Sequence, residues 1–205
     1  MTATLNRRLA NEFEWTASYT WAHATDTASD YDEQPQNPYA LEAERADSRY
    51  DERHRVVASA LFDLPIGDEE DRKPGEVPAW WERAFSNIEL APIFTYGSGR
   101  AVNPVVGLDA SHSDAYPLVD RPLGYERNGL RLPASATLDL RLLKAIPIRP
   151  HGKLDLVIEA FNVLNRTNVT QLNTVYGPLT SPLSFTRAIE AAAARHIQFS
   201  IDFEF

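Results

Sequence analysis

The sequence predicts an all-β chain, an antiparallel meander of about seven long strands. Three observations predict it. The 205 residues include 14 Pro, 8 Tyr, 9 Phe and 4 Trp, and no stretch has a sustained helical period. Several segments alternate apolar and polar residues with a period of two, so one face of each strand is apolar and the other polar. The connections alternate between short and long, which suits hairpins stacked side by side.

A weak first strand is expected over Thr2–Leu9. After the two-residue turn Ala10-Asn11, the stretch 12–24 sets Phe13, Trp15, Ala17, Tyr19 and Trp21 against Glu12, Glu14, Thr16, Ser18 and Thr20. In 53–64, Val56, Ala58, Ala60, Phe62 and Leu64 oppose Arg55, Val57, Ser59 and Asp63. In 85–97, Ile88, Leu90, Phe94 and Tyr96 share a face, with Pro92 as an irregularity. In 135–146, Leu138, Leu140 and Leu142 oppose Thr137, Asp139 and Arg141. In 153–164, Leu154, Leu156, Ile158 and Ala160 oppose Lys153, Asp155 and Glu159. The last ten residues alternate most strictly: Ile197, Phe199, Ile201, Phe203 and Phe205 against Gln198, Ser200, Asp202 and Glu204.

Pro147–Gly152 reads as a second short turn, and 25–52, 98–134 and 165–195 read as long loops. The connection 65–84, with Asp68-Glu69-Glu70-Asp71, Pro74-Gly75 and Trp80-Trp81, breaks the rhythm as a longer excursion on the short-turn side. Ala191–Ala194 suits one helical turn or a loop equally well.

Composition excludes several classes. A net charge of −9 and a pI near 5.0 do not suit a nucleic-acid surface or a polybasic membrane anchor. With no cysteine there is no disulfide and no thiolate metal site. No run of eighteen apolar residues occurs, so no membrane-spanning helix is expected. A mean hydropathy of −0.36 is that of many membrane barrels, whose strands bury only alternate residues. The first eight residues carry no apolar core of a signal peptide. A barrel must be exported, so either the chain is a fragment or the membrane reading fails.

Alternation alone does not say which face is wet. Expected strands of ten to thirteen residues exceed the five or six common in soluble sheets. Aromatic residues sit near strand ends (Trp15, Tyr19, Trp21, Tyr96, Phe203 and Phe205), as in the girdles of membrane barrels. Both features favour a bacterial outer-membrane barrel in contact with lipid. A small outer-membrane barrel or adhesin that closes alone or by oligomerising, and a soluble β-sandwich binding module, stay open as alternatives.

A terminal strand alternating to a final Phe resembles the signal read by the barrel assembly machinery, with Ile197, Phe199, Ile201, Phe203 and Phe205 as its apolar positions. Leu5–Leu9, Phe13–Ala22, Arg53–Ser59, Tyr96–Arg100, Asp139–Leu142 and Glu159–Asn165 together, in this order, resemble the end of Oar-like TonB-dependent receptors. The resemblance implies an open section of a 22-stranded barrel, filled in the whole receptor by an N-terminal plug that contacts TonB. The plug and the N-terminal strands would lie outside residues 1–205, as would the TonB contact. The chain would then be a receptor and transport component, not an enzyme, with no cofactor.

Other candidate chemistry is weaker. His23, His54, His112, His151 and His196 have no ligand spacing and read as surface or interface residues. Ser59, His54 and Asp63 lack the context of a nucleophile elbow. Loop 25–52 holds nine acidic residues against Arg45 and Arg49. Its spacing is not that of an EF-hand, so it reads as a solvated loop before a calcium site; Asp68–Asp71 reads as a solvated turn. The Asn165 and Asn168 glycosylation patterns are chance matches in this setting. Gly97, Gly99 and Gly107 read as the start of a loop. The charges Glu14, Arg55, Asp63, Asp139, Arg141, Asp155 and Glu159 are expected to face the lumen and to pair across strands, which is worth a few tenths of a kcal/mol up to ~1 each.

Overall fold

Strict alternation along seven segments allows every one of them to enter one sheet with its apolar side on a common face, and the structure builds that sheet. The computed structural model describes residues 1–9, 13–64, 66, 79–115, 118–148, 152–177 and 184–204. The long strands are β1 (Thr2–Leu9), β2 (Phe13–Trp21), β3 (His54–Leu64), β4 (Ile88–Gly97), β5 (Ser135–Ile148), β6 (Gly152–Phe161) and β7 (His196–Glu204). They pair in chain order, each antiparallel to the next. A sandwich needs a second sheet packed face to face. Apart from the seven-stranded sheet, the described residues form only two-stranded ladders, which removes the soluble-sandwich alternative.

The register carries the faces across the sheet. One row runs Phe13, Phe62, Leu90, Leu142, Ile158 and Phe199 from β2 to β7. On the other face a row runs Thr2, Thr20, Arg55, Gly97 and Ser135 from β1 to β5. Pro92 stands in mid-β4 and has no N–H to give the ladder. Pairing between β3 and β4 lapses between Ser59–Ile93 and Phe62–Leu90 and resumes in the same register, so the proline removes a bond without moving a side chain to the wrong face. Two charges depart from the pattern. Arg7 lies opposite Trp15 in the apolar set. Lys144 lies opposite Ile88 and Leu156 and turns its ammonium to the carbonyl of Ser86 at the strand end, leaving its stem over the apolar surface.

Boundaries moved for local reasons. Phe85 was expected to open a strand, but it ends a short helix, α1 (Trp80–Phe85). Asn87, at φ 50°, then turns the chain into β4, and Asn tolerates that left-handed conformation. β6 stops at Phe161, three residues short of the expected Leu164, because Asn162 takes φ 49°. Of the two readings of Ala191–Ala194 the loop holds: a short strand, Ala188–Ala191, ends at its first residue and 192–195 follow without helix. The turns at 10–12 and 149–151 and the acidic run 68–71 lie largely or wholly outside the described residues.

The connections β2–β3, β4–β5 and β6–β7 leave one end of the sheet, and the shorter ones leave the other, together with α1. Tyr19, Trp21 and Tyr96 stand at the loop end. Phe13 stacks on Phe62 at 4.5 Å near the other end, where Phe203 also lies. Among the described residues the outer edges of β1 and β7 have no partner strand, and no helix is long and apolar enough to cross a membrane.

The two faces should respond differently to charge. Leu140→Arg, in mid-strand on the apolar face, is expected to cost roughly 2–4 kcal/mol in a bilayer. Ile93→Arg lies on the opposite face beside Asp139 and should cost under about 1 kcal/mol. Urea unfolding of the folded protein in lipid vesicles measures both; equal costs would mean the faces are misassigned.

Candidate functional site

The three long loops do not splay apart; each continues its hairpin outward. Thr25–Asp26 pair with Ala46–Asp47, Ala101–Val102 with Leu130–Arg131, and Val169–Leu172 with Ala188–Ala191. Gly99 makes the second extension possible, since it takes φ +85° against the Leu132 carbonyl and leaves no room for a Cβ. Val105 and Val175 form a parallel bridge between the second and third loops, with Val105 N–H bonded to Thr174 and Tyr176 N–H to Val105.

The first and second loops are joined by buried charge. Arg127, 2% exposed, gives its Nε and one terminal nitrogen to Glu33 at 2.7 and 2.9 Å. It also reaches Asp26 at 2.8 Å and the Ser29 hydroxyl at 2.9 Å. Arg121 grips Glu44 with two bonds of 2.7 and 2.8 Å. Arg131 bridges Asp47 and Asp51 at 2.5 and 2.6 Å, and Arg53 reaches the same two carboxylates at 2.8 and 3.3 Å. Asn128 adds a bond to the Asp47 carbonyl at 2.8 Å. The planar guanidinium suits this work because its fork matches a carboxylate and it does not deprotonate.

Most of 25–52 is exposed as a solvated loop would be, Asp32 and Glu42 included, but Asp26, Glu33, Glu44, Asp47 and Asp51 are not free in solvent. Glu44 and Asp51 are each 1% exposed. Burial works against charge on Asp26, Glu33, Glu44, Asp47 and Asp51. Hydrogen bonds from Arg127, Arg121, Arg131 and nearby hydroxyl, imidazole and backbone donors outweigh it, and all five carboxyls are held below their ordinary range. His23 also approaches Asp47, at 2.9 Å, and His23, Asp47 and Asp51 present ligand atoms close enough to meet a single cation. Two guanidiniums already occupy those carboxylates, so a metal ion would have to displace them.

Three asparagines fasten the third loop to the sheet. Asn162 gives its backbone N–H to Asp139 at 2.7 Å and its amide to the Arg166 and Ala193 carbonyls. Asn168 accepts from Ala136 N–H at 2.8 Å and donates to the same residue's carbonyl at 3.0 Å, so its side chain stands in for a neighbouring strand. The Asn165 side chain accepts from Arg195 N–H. The run Ala160–Asn168 is thus a strand end followed by polar clamps.

The register places Glu14, Arg55, Asp63, Asp139, Arg141, Asp155 and Glu159 together on the face opposite the apolar rows. Arg141 and Glu159 stand 4.0 Å apart. Lys153 lies between Asp155 and Glu204 at 3.2 and 3.1 Å, which offsets the like-charged pair Asp155–Asp202 directly across the ladder. Asp139 serves Asn162 rather than a cation, and Glu14 lies opposite Arg8. Ile197, Phe199, Ile201 and Phe203 share the apolar face of β7 and are well exposed; Phe205 lies outside the described residues. His54 bonds the Tyr19 hydroxyl at 2.8 Å, and His196 stacks on Phe161. His151 lies outside the described residues. The residues missed by sequence reasoning are Arg121, Arg127 and Arg131; their only signal was three arginines at short spacing in a loop opposite an acidic one.

A family model described as an outer membrane beta barrel domain matches residues 1–126. No curated protein and no solved structure matches the chain.

Two outcomes follow for the loops. Arg127→Met should leave the Asp26 and Glu33 carboxylates unpaired and open the cap at a cost of roughly 3–5 kcal/mol, with the strands intact; proteolysis of loop 25–52 reads this. Acid should act on the same contacts. The five depressed carboxyls contribute stability that is complete above their ordinary values of 3.8 and 4.5 and is lost as pH falls through their lower folded values. Hydrogen exchange should therefore show the cap closed at pH 6 and opening below about pH 4 while sheet amides stay protected.

Proposed function

Because this chain belongs to the outer membrane beta barrel domain family and resides in the bacterial outer membrane, we propose that it supplies part of the wall and external loops of a TonB-dependent uptake channel of the Oar-like kind. The observation that carries the reading is the open sheet. Among the described residues its two outer strands have one partner each, and unpaired backbone groups are not tolerated against lipid. Single-chain bacterial barrels have even strand numbers from eight upward, so seven strands call for more. In this reading about fifteen further strands complete a 22-stranded wall, and a plug fills it. TonB acts on the plug from the periplasm. The ordered set of segments from Leu5–Leu9 to Glu159–Asn165 supports the same assignment.

The apolar face meets outer-membrane lipid, and the face with Glu14, Arg55, Asp139, Arg141, Asp155 and Glu159 lines the lumen beside the plug. The loop cap faces outward, and Trp80 and Trp81 of α1 lie at the periplasmic side. The barrel assembly machinery reads β7, with Ile197, Phe199, Ile201, Phe203 and Phe205 as the apolar positions of its signal. The chain carries no catalysis.

Crosslinking in cells tests the transport reading. The full-length protein should crosslink to TonB and migrate, unheated, as a large folded barrel. A small heat-modifiable barrel with no TonB crosslink would favour the self-closing or oligomerising alternative instead. A second experiment addresses assembly. Deleting Phe205 removes about 2 kcal/mol of burial in lipid, too little to unfold a large barrel. Surface-exposed protein should nonetheless fall several-fold, because recognition is lost before stability. Normal insertion of the deletion would make β7 ordinary scaffold.

A further inference from the structure

Where the second and third loops meet, three aromatic rings gather. Tyr125 and Tyr176 both meet Phe185 edge to face, at 5.6 and 5.1 Å with interplanar angles of 88° and 87°. An open cleft beside them is lined by Gln36, Asp120, Arg121, Leu123, Tyr125 and Tyr176, among others, so all three loops contribute to it. Leu123 and both tyrosines are exposed. Asp120 is not: it is 4% exposed. One carboxylate oxygen accepts from Ser111 N–H at 2.8 Å, and the other, Oδ1, is buried with no hydrogen-bond partner among the described residues.

That oxygen is unusual among the described residues of the cap, where the other buried carboxylates, Glu44 and Asp51, are gripped by arginines. Arg121 is adjacent in sequence, but its guanidinium is committed in both arms to Glu44. A buried carboxylate oxygen without a donor is costly, and such atoms are rare enough to ask for a reason. Aromatic faces beside a carboxylate make the environment of a cation: the ring quadrupole and the carboxylate attract the same charge. A neutral sugar would stack on the rings and give Oδ1 a hydroxyl donor, but it would bring no charge to offset that of the carboxylate.

We propose that this cleft binds an organic cation, a ligand with an ammonium or guanidinium group whose N–H donates to Asp120 Oδ1 while its carbon skeleton lies against Tyr125, Tyr176 and Leu123. The torsion at the end of an aspartate side chain is soft, so a small rotation of the carboxylate brings Oδ1 to the entering donor. The acidic chain, with a net charge of −9, draws cations toward it over longer range. The proposal stands on the loop cap and is independent of how uptake is energised.

Calorimetric titration of the purified full-length protein in detergent tests it, with spermidine as the probe and maltotriose as the neutral comparison. Spermidine should bind one site saturably. Asp120→Asn, which keeps an oxygen for Ser111 N–H, should weaken binding roughly tenfold, as should Tyr176→Leu at the exposed rim. Heat-modifiable mobility shows whether each variant is folded. If Asp120→Asn misfolds, Tyr176→Leu carries the test. Maltotriose should give no saturable signal. Saturable binding of maltotriose alone would make the cleft a sugar site. Equal spermidine binding in both variants would reduce it to attraction by the acidic surface, and absence of spermidine binding would overturn the proposal.

Discussion

In hydrocarbon a backbone amide has no water to fall back on, and every N–H and C=O must find its partner within the protein. The rest of this structure depends on that constraint. It selects strands paired in chain order, since antiparallel neighbours joined by turns satisfy each ladder locally. It makes Pro92 tolerable only because one lapse between Ser59–Ile93 and Phe62–Leu90 leaves the register unchanged. Among the described residues it leaves the outer edges of β1 and β7 without a partner strand.

The cap above the sheet follows different rules. The apolar rows of the sheet do not continue into the loops, and the first and second loops hold together by buried charge. Glu44, Asp51 and Arg127 are among the most buried of the described side chains. Such pairs add little net stability against apolar packing of the same volume, but breaking one is costly. Their value lies in geometry: a guanidinium with two or three oxygen partners admits one arrangement of the loops. Asn162 and Asn168 do the same for the third loop by copying backbone hydrogen bonds with side-chain amides. A rigid cap gives a fixed cleft at the outer surface, and the aromatic cluster around Phe185 is set in it.

The carboxylates of loop 25–52 show why sequence reading fell short there. Nine acidic residues within 28 positions look solvated when their partners are out of view. Apart from Arg53, the partners Arg121, Arg127 and Arg131 lie 77 to 101 residues away, in a loop whose arginines look like ordinary surface charge. The strand ends at Phe161 and at Ile88 were missed for a smaller reason. Asn162 and Asn87 adopt left-handed conformations, and Asn permits these without announcing them.

The sequence by itself determined the sheet: seven strands, their order, the apolar and polar sets within each, and the end from which the long loops leave. These are legible because strand alternation and turn spacing are local, and sequential antiparallel pairing needs no information from distant parts of the chain. Only the tertiary structure decided that five carboxylates of the acidic loop are paired with Arg121, Arg127, Arg131 and Arg53, and that Asp120 has no cation among the described residues of a cleft it shares with Tyr125 and Tyr176. A charge carries no mark of its partner in the sequence. The physical reason is that guanidinium–carboxylate pairing is chosen by the distance and desolvation the folded loops impose, and those exist only once the strands beneath have brought the loops together.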